Sequence, residues 1–457
     1  MKFGIFYEHQ LPRPWEDDSE HLLLQNALDQ VELADKLGFD VVWEVEHHFL
    51  EEYSHSSAPE VFLAAASQRT KRIRLGHGIV QTPPPFNHPA RVAERIATLD
   101  LVSNGRVEFG TGESSSVAEL GGFGIDPFYK RDMWREGLEV AIRCMTETPF
   151  TGVDGKFVQM PPRNVVPKPM QKPHPPLWVA CSRRDTILLA AQNGIGALTF
   201  AFIDPEEARQ WVGDYHSTLA DTCVPIGRSV NPNVACVTTF MCAPTEDEAV
   251  DRGLAGANFF GYSLAHYYVF GEHQPGVTDV WQEYQERRDR MGFSVDAAAV
   301  EQERLGAKIA ADLGNGADVA SGLRGAVGTP EQIREFLRRY EDAGVDQVIF
   351  VSQAGKNRHE HIMESLELFG REVLPEFMER EEKSAGERER RLAPVVEAAM
   401  ARRVDDAPPL PSPDYAFAAM PRAVADKTGS TEIKDMLEKL AEDRAAGRRD
   451  PNAGILG

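Results

Sequence analysis

Lys2-Phe3-Gly4-Ile5-Phe6-Tyr7 is a short, aromatic-rich apolar run at the head of the chain. After it, Leu22, Leu23, Ala27, Leu28, Val31, Ala34 and Leu37 recur at helical spacing on one face, and Gly38 stands at the C-cap position. Asp40-Val41-Val42-Trp43-Glu44-Val45 then resumes the strand pattern. A strand, an amphipathic helix and a second strand form a βα unit, the building block of a parallel sheet covered by helices.

The alternation continues along the chain. Further strand candidates are Ile73 to Val80, Arg106 to Gly110, Pro176 to Ala180, Gly196 to Phe200, Asn233 to Phe240 and Gln347 to Ser352, so the count comes to eight. This predicts an α/β fold, a (β/α)8 TIM barrel. Thr329-Pro330-Glu331-Gln332 places a capping threonine, a first-turn proline and a glutamine three residues after the cap, which marks a helix start.

An insertion between strands seven and eight, about residues 243–327, carries Leu254, Phe259, Phe260, Leu264, Tyr267 and Tyr268 at helical spacing and a loop at Leu313-Gly314-Asn315-Gly316. Such excursions at the C-terminal rim of a barrel shape the substrate site or add an outer helical layer, and both readings stay open. The barrel is expected to occupy residues 1–377. Residues 378–457 form a charged, proline-containing extension, with a solvated helix, an extended stretch around Pro408-Pro409-Leu410-Pro411, and a short amphipathic helix from Thr431 to Ala445.

Across 457 residues, 49 Lys and Arg face 71 Asp and Glu, a formal net charge of −22. A field of that sign argues against nucleic acid and against anionic membrane surfaces as partners. The 5 cysteines contain no CxxC, which indicates neither a disulfide framework nor a zinc knuckle. Met1 leads straight into the first strand, and no stretch approaches the roughly 18 apolar residues of a membrane span. The expected location is cytoplasmic.

Chemistry gathers where the second strand ends. Glu44-Val45-Glu46-His47-His48-Phe49 puts imidazoles among carboxylates at the rim where a barrel builds its site. His77 and His88 lie further on, yet there is no HxH on a strand and no HExxH on a helix, so no metal site is assigned. The glycines around His77, Gly76 and Gly78, would admit a flat ligand or a strained or cis peptide, or else relieve crowding. Gly110-Thr111-Gly112 lacks the spacing of a phosphate loop. Ala180-Cys181-Ser182-Arg183-Arg184-Asp185-Thr186 gathers hydroxyls, guanidinium groups and backbone N–H groups at a helix start, which suits a phosphate, although the arginines could be surface residues.

Met1-Lys2-Phe3-Gly4, Val42-Trp43 leading into Glu46-His47-His48-Phe49, Asn87-His88-Pro89-Ala90-Arg91, Leu99-Asp100 with Ser103-Asn104-Gly105-Arg106, and Gly328-Thr329-Pro330-Glu331 together resemble the bacterial luciferase-like flavin monooxygenases, in collinear order over about residues 1–377. The resemblance implies a barrel that binds reduced FMN at its C-terminal face, receives it from a separate flavin reductase and reacts it with O2. His47 matches the family's catalytic histidine, with His48 in support. Arg131 matches its phosphate-binding arginine, and Ser182 and Thr186 its hydroxyl and helix-terminus contacts. Gly78, Gly112, Ala180 and Cys181 complete the expected cofactor-binding set. Two departures stand out: Gly112 replaces a reactive cysteine of luciferase, and Glu113 replaces a phosphate-binding arginine, so Glu113 must point away or Arg183 and Arg184 must compensate.

The implied activity is a two-component oxygenation of a small apolar organic substrate by O2, in a homodimer, with Phe6, Trp43, Phe49, Phe200 and the aromatics of the insertion as candidate pocket walls. The same fold also serves F420-dependent oxidoreductases. A non-catalytic flavin-binding protein is the reading from a different class.

Overall fold

Each apolar run found in the sequence becomes one stave of a barrel in the computed structural model, which describes residues 1–199, 203–288, 290, 324–404 and 409–446. The staves are β1 (Lys2–Tyr7), β2 (Val41–Glu44), β3 (Arg74–Gln81), β4 (Val107–Gly112), β5 (Leu177–Cys181), β6 (Gly196–Thr199), β7 (Val234–Cys242) and β8 (Gln347–Val351). All pair in parallel with their neighbours, β8 pairs with β1, and a β6–β7 pairing closes the ring. Phe200 and the Leu313-Gly314-Asn315-Gly316 loop lie outside the described residues.

The helices α1 (Ser19–Leu37), α2 (Pro59–Arg69), α3 (Pro89–Val102), α4 (Val117–Gly122), α5 (Lys130–Thr146), α6 (Arg184–Gln192) and α7 (Pro205–Thr222) follow the strands in turn. The insertion supplies α8 (Glu246–Ala265), a π-helical turn (His266–Phe270) and α9 (Val280–Arg287); then come α10 (Pro330–Ala343) and α11 (His359–Glu372). The expected caps are present. Gly38 adopts φ +104° and donates to Ala34 O, and Thr329 and Gln332 exchange side-chain and backbone hydrogen bonds.

Alternation along the strands divides the core into two layers. Phe3, Ile5, Tyr7, Leu75, Val107 and Phe109 pack outward against the helices, while Phe6, Trp43, Ile79, Trp178, Leu198 and Val237 fill the barrel. Two tryptophans occupy that interior, their rings edge-on at 5.5 Å. Each lies over a glycine in register on the next strand: Trp43 opposite Gly76, Trp178 opposite Gly196. A Cβ on Gly76 would fall 2.3 Å from the Trp43 ring, and one on Gly196 2.4 Å from Trp178.

Gly76 therefore makes room for an indole, which answers the ligand-approach reading of that glycine. The cis peptides among the described residues all precede proline, at positions 14, 149, 167 and 173, so the peptide at His77 is not cis. The irregularity there is instead a register shift between His77 and Val80 against β4.

The expected boundary after residue 377 falls inside a helix. α12 (Leu374–Arg402) runs on; its Glu381 accepts from the Met1 ammonium at 2.6 Å, Arg388 reaches Asp346 at 3.6 Å, and Arg402 caps carbonyls at the end of α7, Ala220 and Cys223. The mixed-charge run is thus solvated on one side and bound to the barrel on the other. The chain divides into compact units Met1–Asp406 and Ala407–Gly457. The second holds α13 (Met420–Thr428) and α14 (Thr431–Ala445), the latter with the expected bounds.

Filling the interior beyond its packed volume costs about 1–3 kcal/mol. Gly76→Ala is expected to lower the unfolding free energy by about that amount, as read by urea denaturation. Unchanged stability would mean that the Trp43 ring yields and is not the fixed floor of the barrel.

Candidate active site

Beyond the end of β2, which carries Trp43 inward, the chain runs through Val45 to His47 at the rim. Its imidazole lies between two carboxylates from distant elements. Nδ1 is 2.9 Å from Glu119 Oε1 on α4, and Nε2 is 3.5 Å from Glu8 Oε2, just past the end of β1. Glu119 also accepts from the His48 amide at 3.0 Å and the Ser114 hydroxyl at 2.5 Å. Glu8 accepts from the Tyr53 hydroxyl at 2.9 Å.

Burial pushes the His47 imidazolium toward losing its proton, but Glu8 and Glu119 outweigh burial and raise its pKa to about 9. Burial raises the Glu8 carboxyl to about 7, against the pull of His47 and Tyr53. For Glu119 burial is likewise the largest influence, yet the His47 charge and hydrogen bonds together hold it below the usual carboxylate range. The arrangement at neutral pH is an imidazolium anchored on Glu119, facing a carboxyl poised near its own titration point.

Below the rim, Glu46 accepts from the Gln81 amide at 2.8 Å, Asn87 Nδ2 at 2.7 Å and His48 Nε2 at 3.2 Å. His48 also packs edge-on to Phe123 at 4.9 Å. Among the buried oxygens that make no hydrogen bond within the protein are Glu8 Oε2 and Gln81 Oε1. They follow the inward-facing Phe6 and Ile79 by two residues, so alternation aims them at the barrel axis. Apolar cover comes from Tyr53 at 5.7 Å from Phe260, with Tyr267 and Tyr268 at 6.3 and 6.2 Å.

His77 and His88, the other histidines noted in the sequence, have structural places. His77 is fully buried near Glu60 and Arg95 of α2 and α3, and desolvation lowers its pKa to about 4. His88 caps α3, its Nδ1 accepting from Ala90 N at 3.2 Å. Among the described residues no group of three or more His, Cys, Asp or Glu is placed to hold a metal ion, and no helix is long and apolar enough to cross a membrane. Phe49 turns away from the interior: it adopts φ +65°, packs on Phe123 at 5.5 Å and crowds Gly122 on α4.

At the expected phosphate end, Arg131 forms a two-pronged ion pair with Glu113, Nε at 2.5 Å and Nη2 at 2.9 Å, and lies within electrostatic reach of Asp185 and Cys181. Glu113 thus does not point away from the expected phosphate end but pairs with the arginine there. Arg183 pairs with Asp185 at 3.5 Å and Arg184 with Asp214 at 2.6 Å. Thr186 Oγ1 donates to Arg183 O at 2.6 Å and accepts from Arg183 N at 3.3 Å, so its hydroxyl caps α6. Ser182 is exposed at the same helix start.

Cys181 points into the layer between sheet and helices, where burial pushes its thiol up to about 12. Gly78 and the half-buried Ala180 lie on the interior side, the first in ordinary contact range of Trp43 and Phe6. Gly112 meets Ile79, from which a Cβ would stand at 2.4 Å.

The chain belongs to the luciferase-like monooxygenase family, whose model matches residues 1–347. It is 26% identical over 384 residues to the oxygenase component of the flavin-dependent trigonelline monooxygenase of Acinetobacter baylyi, covering 83% of this chain and 96% of that one. An uncharacterized protein of Sinorhizobium fredii, y4wF, is 34% identical over 199 residues, where the match spans 42% of this chain and about half, 54%, of that protein. The crystal structure of the monooxygenase RslO1 from Streptomyces bottropensis superposes with a TM-score of 0.63 at 26% identity, covering 82% of this chain and 100% of that one.

Glu119 supplies the anchoring charge on His47. Glu119→Gln is expected to move the His47 imidazole titration, followed by NMR, from about 9 toward the ordinary histidine value. The imidazolium then loses its proton at lower pH. A midpoint unmoved by the substitution would show that Glu8 alone holds the proton.

Proposed function

We propose that the chain is the oxygenase component of a two-component monooxygenase that takes reduced FMN from a separate flavin reductase and uses O2 to oxygenate a small apolar organic substrate, acting as a homodimer. The observation that carries this reading is the His47 ring, held between Glu119 and Glu8 at the barrel mouth beside the unsatisfied oxygens of Glu8 and Gln81. The flavin-dependent relative from Acinetobacter, which aligns along 96% of its own length, supports the choice of cofactor.

The residues present suit such a group. Glu8 Oε2 and Gln81 Oε1 are acceptors for the N–H edge of a reduced flavin ring, and Lys130, Arg131, Ser182 and the first amides of α6 form a donor set for a phosphate. Reduced FMN supplies the two electrons with which O2 yields one oxygen atom to the substrate and one to water.

The remaining work falls to the chain. His47 Nε2 holds a proton on the interior side of the ring, where it can hydrogen-bond or protonate a developing oxyanion. Glu8, near its titration point, can return that proton, and Tyr53 fixes the Glu8 rotamer. Phe6, Trp43, Tyr53 and Phe260 exclude water from the apolar side.

Anaerobic mixing with FMNH2 followed by oxygenated buffer tests the reading. Wild type is expected to show a long-lived absorbance unlike either reduced or oxidised flavin, and His47→Ala to return to oxidised FMN at least about 100-fold sooner, the usual scale of a lost acid–base group. If the wild type oxidises FMNH2 as free solution does, the FMN assignment fails and F420 binding becomes the assay.

A further inference from the structure

Arg131 presents its Nε and Nη2 edge to a carboxylate of its own chain. The Glu113 oxygens take that edge at 2.5 and 2.9 Å, and Lys130 Nζ stands 3.3 Å from the same carboxylate while donating to Ser114 O at 2.6 Å. Glu113 is mostly buried, with 16% of its side chain exposed. The planar fork of arginine matches carboxylate and phosphate by the same two parallel N–H donors, so the two anions compete for one edge.

The neighbouring cations are engaged as well. Arg183 and Arg184 face Asp185 and Asp214, and the Thr186 hydroxyl is used in the α6 cap. Lys130, Arg131 and Arg183 are therefore offset by Glu113 and Asp185, which leaves one positive charge where a phosphate dianion would sit. Of these carboxylates, Glu113 is the one that holds the Arg131 fork.

Resting on the flavin reading above, we propose that Glu113 occupies the phosphate's place on Arg131 as a built-in counter-ion, which an incoming flavin phosphate must displace. Glu113 thereby sets how loosely, and with how little preference over an unphosphorylated flavin, the site holds its cofactor. Loose, exchangeable binding suits a flavin that arrives reduced and leaves oxidised in every turnover. Without Glu113 the fork is free at no cost, and the repulsion between carboxylate and phosphate is gone.

Equilibrium binding of oxidised FMN and of riboflavin to wild type, Glu113→Gln and Glu113→Ala, followed by flavin fluorescence, tests the proposal, with circular dichroism confirming that each variant is folded. Both substitutions are expected to tighten FMN roughly tenfold, equivalent to about 1.4 kcal/mol, and to leave riboflavin within about twofold. Inorganic phosphate should compete with FMN more strongly in the variants.

Unchanged or weaker FMN binding in a folded variant overturns the proposal. So does equal tightening of both flavins, which would place the effect away from the phosphate. Failure of the wild type and of both variants to bind either flavin removes the flavin reading itself, and riboflavin binding by the wild type separates that outcome from the others.

Discussion

The indole of Trp43 fixes the level at which the barrel ends and the site begins. It can lie across the interior only because Gly76, its register partner, has no side chain, and Trp178 braces it by the same device over Gly196. A floor made in this way turns a ring of strands into a packed core rather than a pore. The next inward positions then decide the chemistry. Two residues beyond Phe6 stands Glu8, two beyond Ile79 stands Gln81, and the chain leaving β2 runs through Val45 to His47. Polar groups emerge above the aromatic floor because strand alternation leaves them nowhere else to point.

Buried carboxylates are costly unless their oxygens are satisfied, and the site contains several. Glu46 is met by a backbone amide, Asn87 and His48; Glu119 by His47, the His48 amide and Ser114. Glu8 is the exception, with one oxygen on Tyr53 and the other without a hydrogen bond. Glu119, so satisfied, is held below the usual carboxylate range beside the His47 cation, while burial raises the proton affinity of the less satisfied Glu8 to the neutral range. Uneven satisfaction thus separates the anchor from the group able to exchange a proton.

The fold was legible because its signals are local. Strand runs, the Gly38 cap and the Thr329 box each depend on a few adjacent residues. His47 could be singled out from its place at a strand end and from the family resemblance. Its partners could not: Glu119 is 72 residues away on the six-residue helix α4, too short to show periodicity, and Glu8 looks like the polar end of a strand. Gly76 was ambiguous because the indole that requires it lies on another strand. The expected boundary at residue 377 missed a helix that continues by docking, since a mixed-charge run gives no sign of which side faces a neighbour. Glu113 was flagged as a departure, but its pairing with Arg131 depends on the packing of β4 against α5.

The insertion adds an outer helical layer and also packs on the barrel, from two sides of one helix. On α8, Phe260 and Leu264 face the barrel cluster, whereas Phe259 and Tyr262 pack with Val280 and Tyr284 of α9 as a separate layer. The layer is pinned to the rim by one buried carboxylate. Glu52 accepts from the amides of Val280 at 2.5 Å, Trp281 at 3.1 Å and Arg13 at 2.8 Å, which joins the insertion to the loops after β1 and β2. Tyr53, the next residue, carries the hydroxyl that holds Glu8. A change in the insertion that shifts α9 therefore pulls on the turn that orients Glu8, so the walls of the apolar side and the proton-handling side are mechanically coupled. Variation in this insertion therefore acts on both the cover over the barrel mouth and the group facing His47.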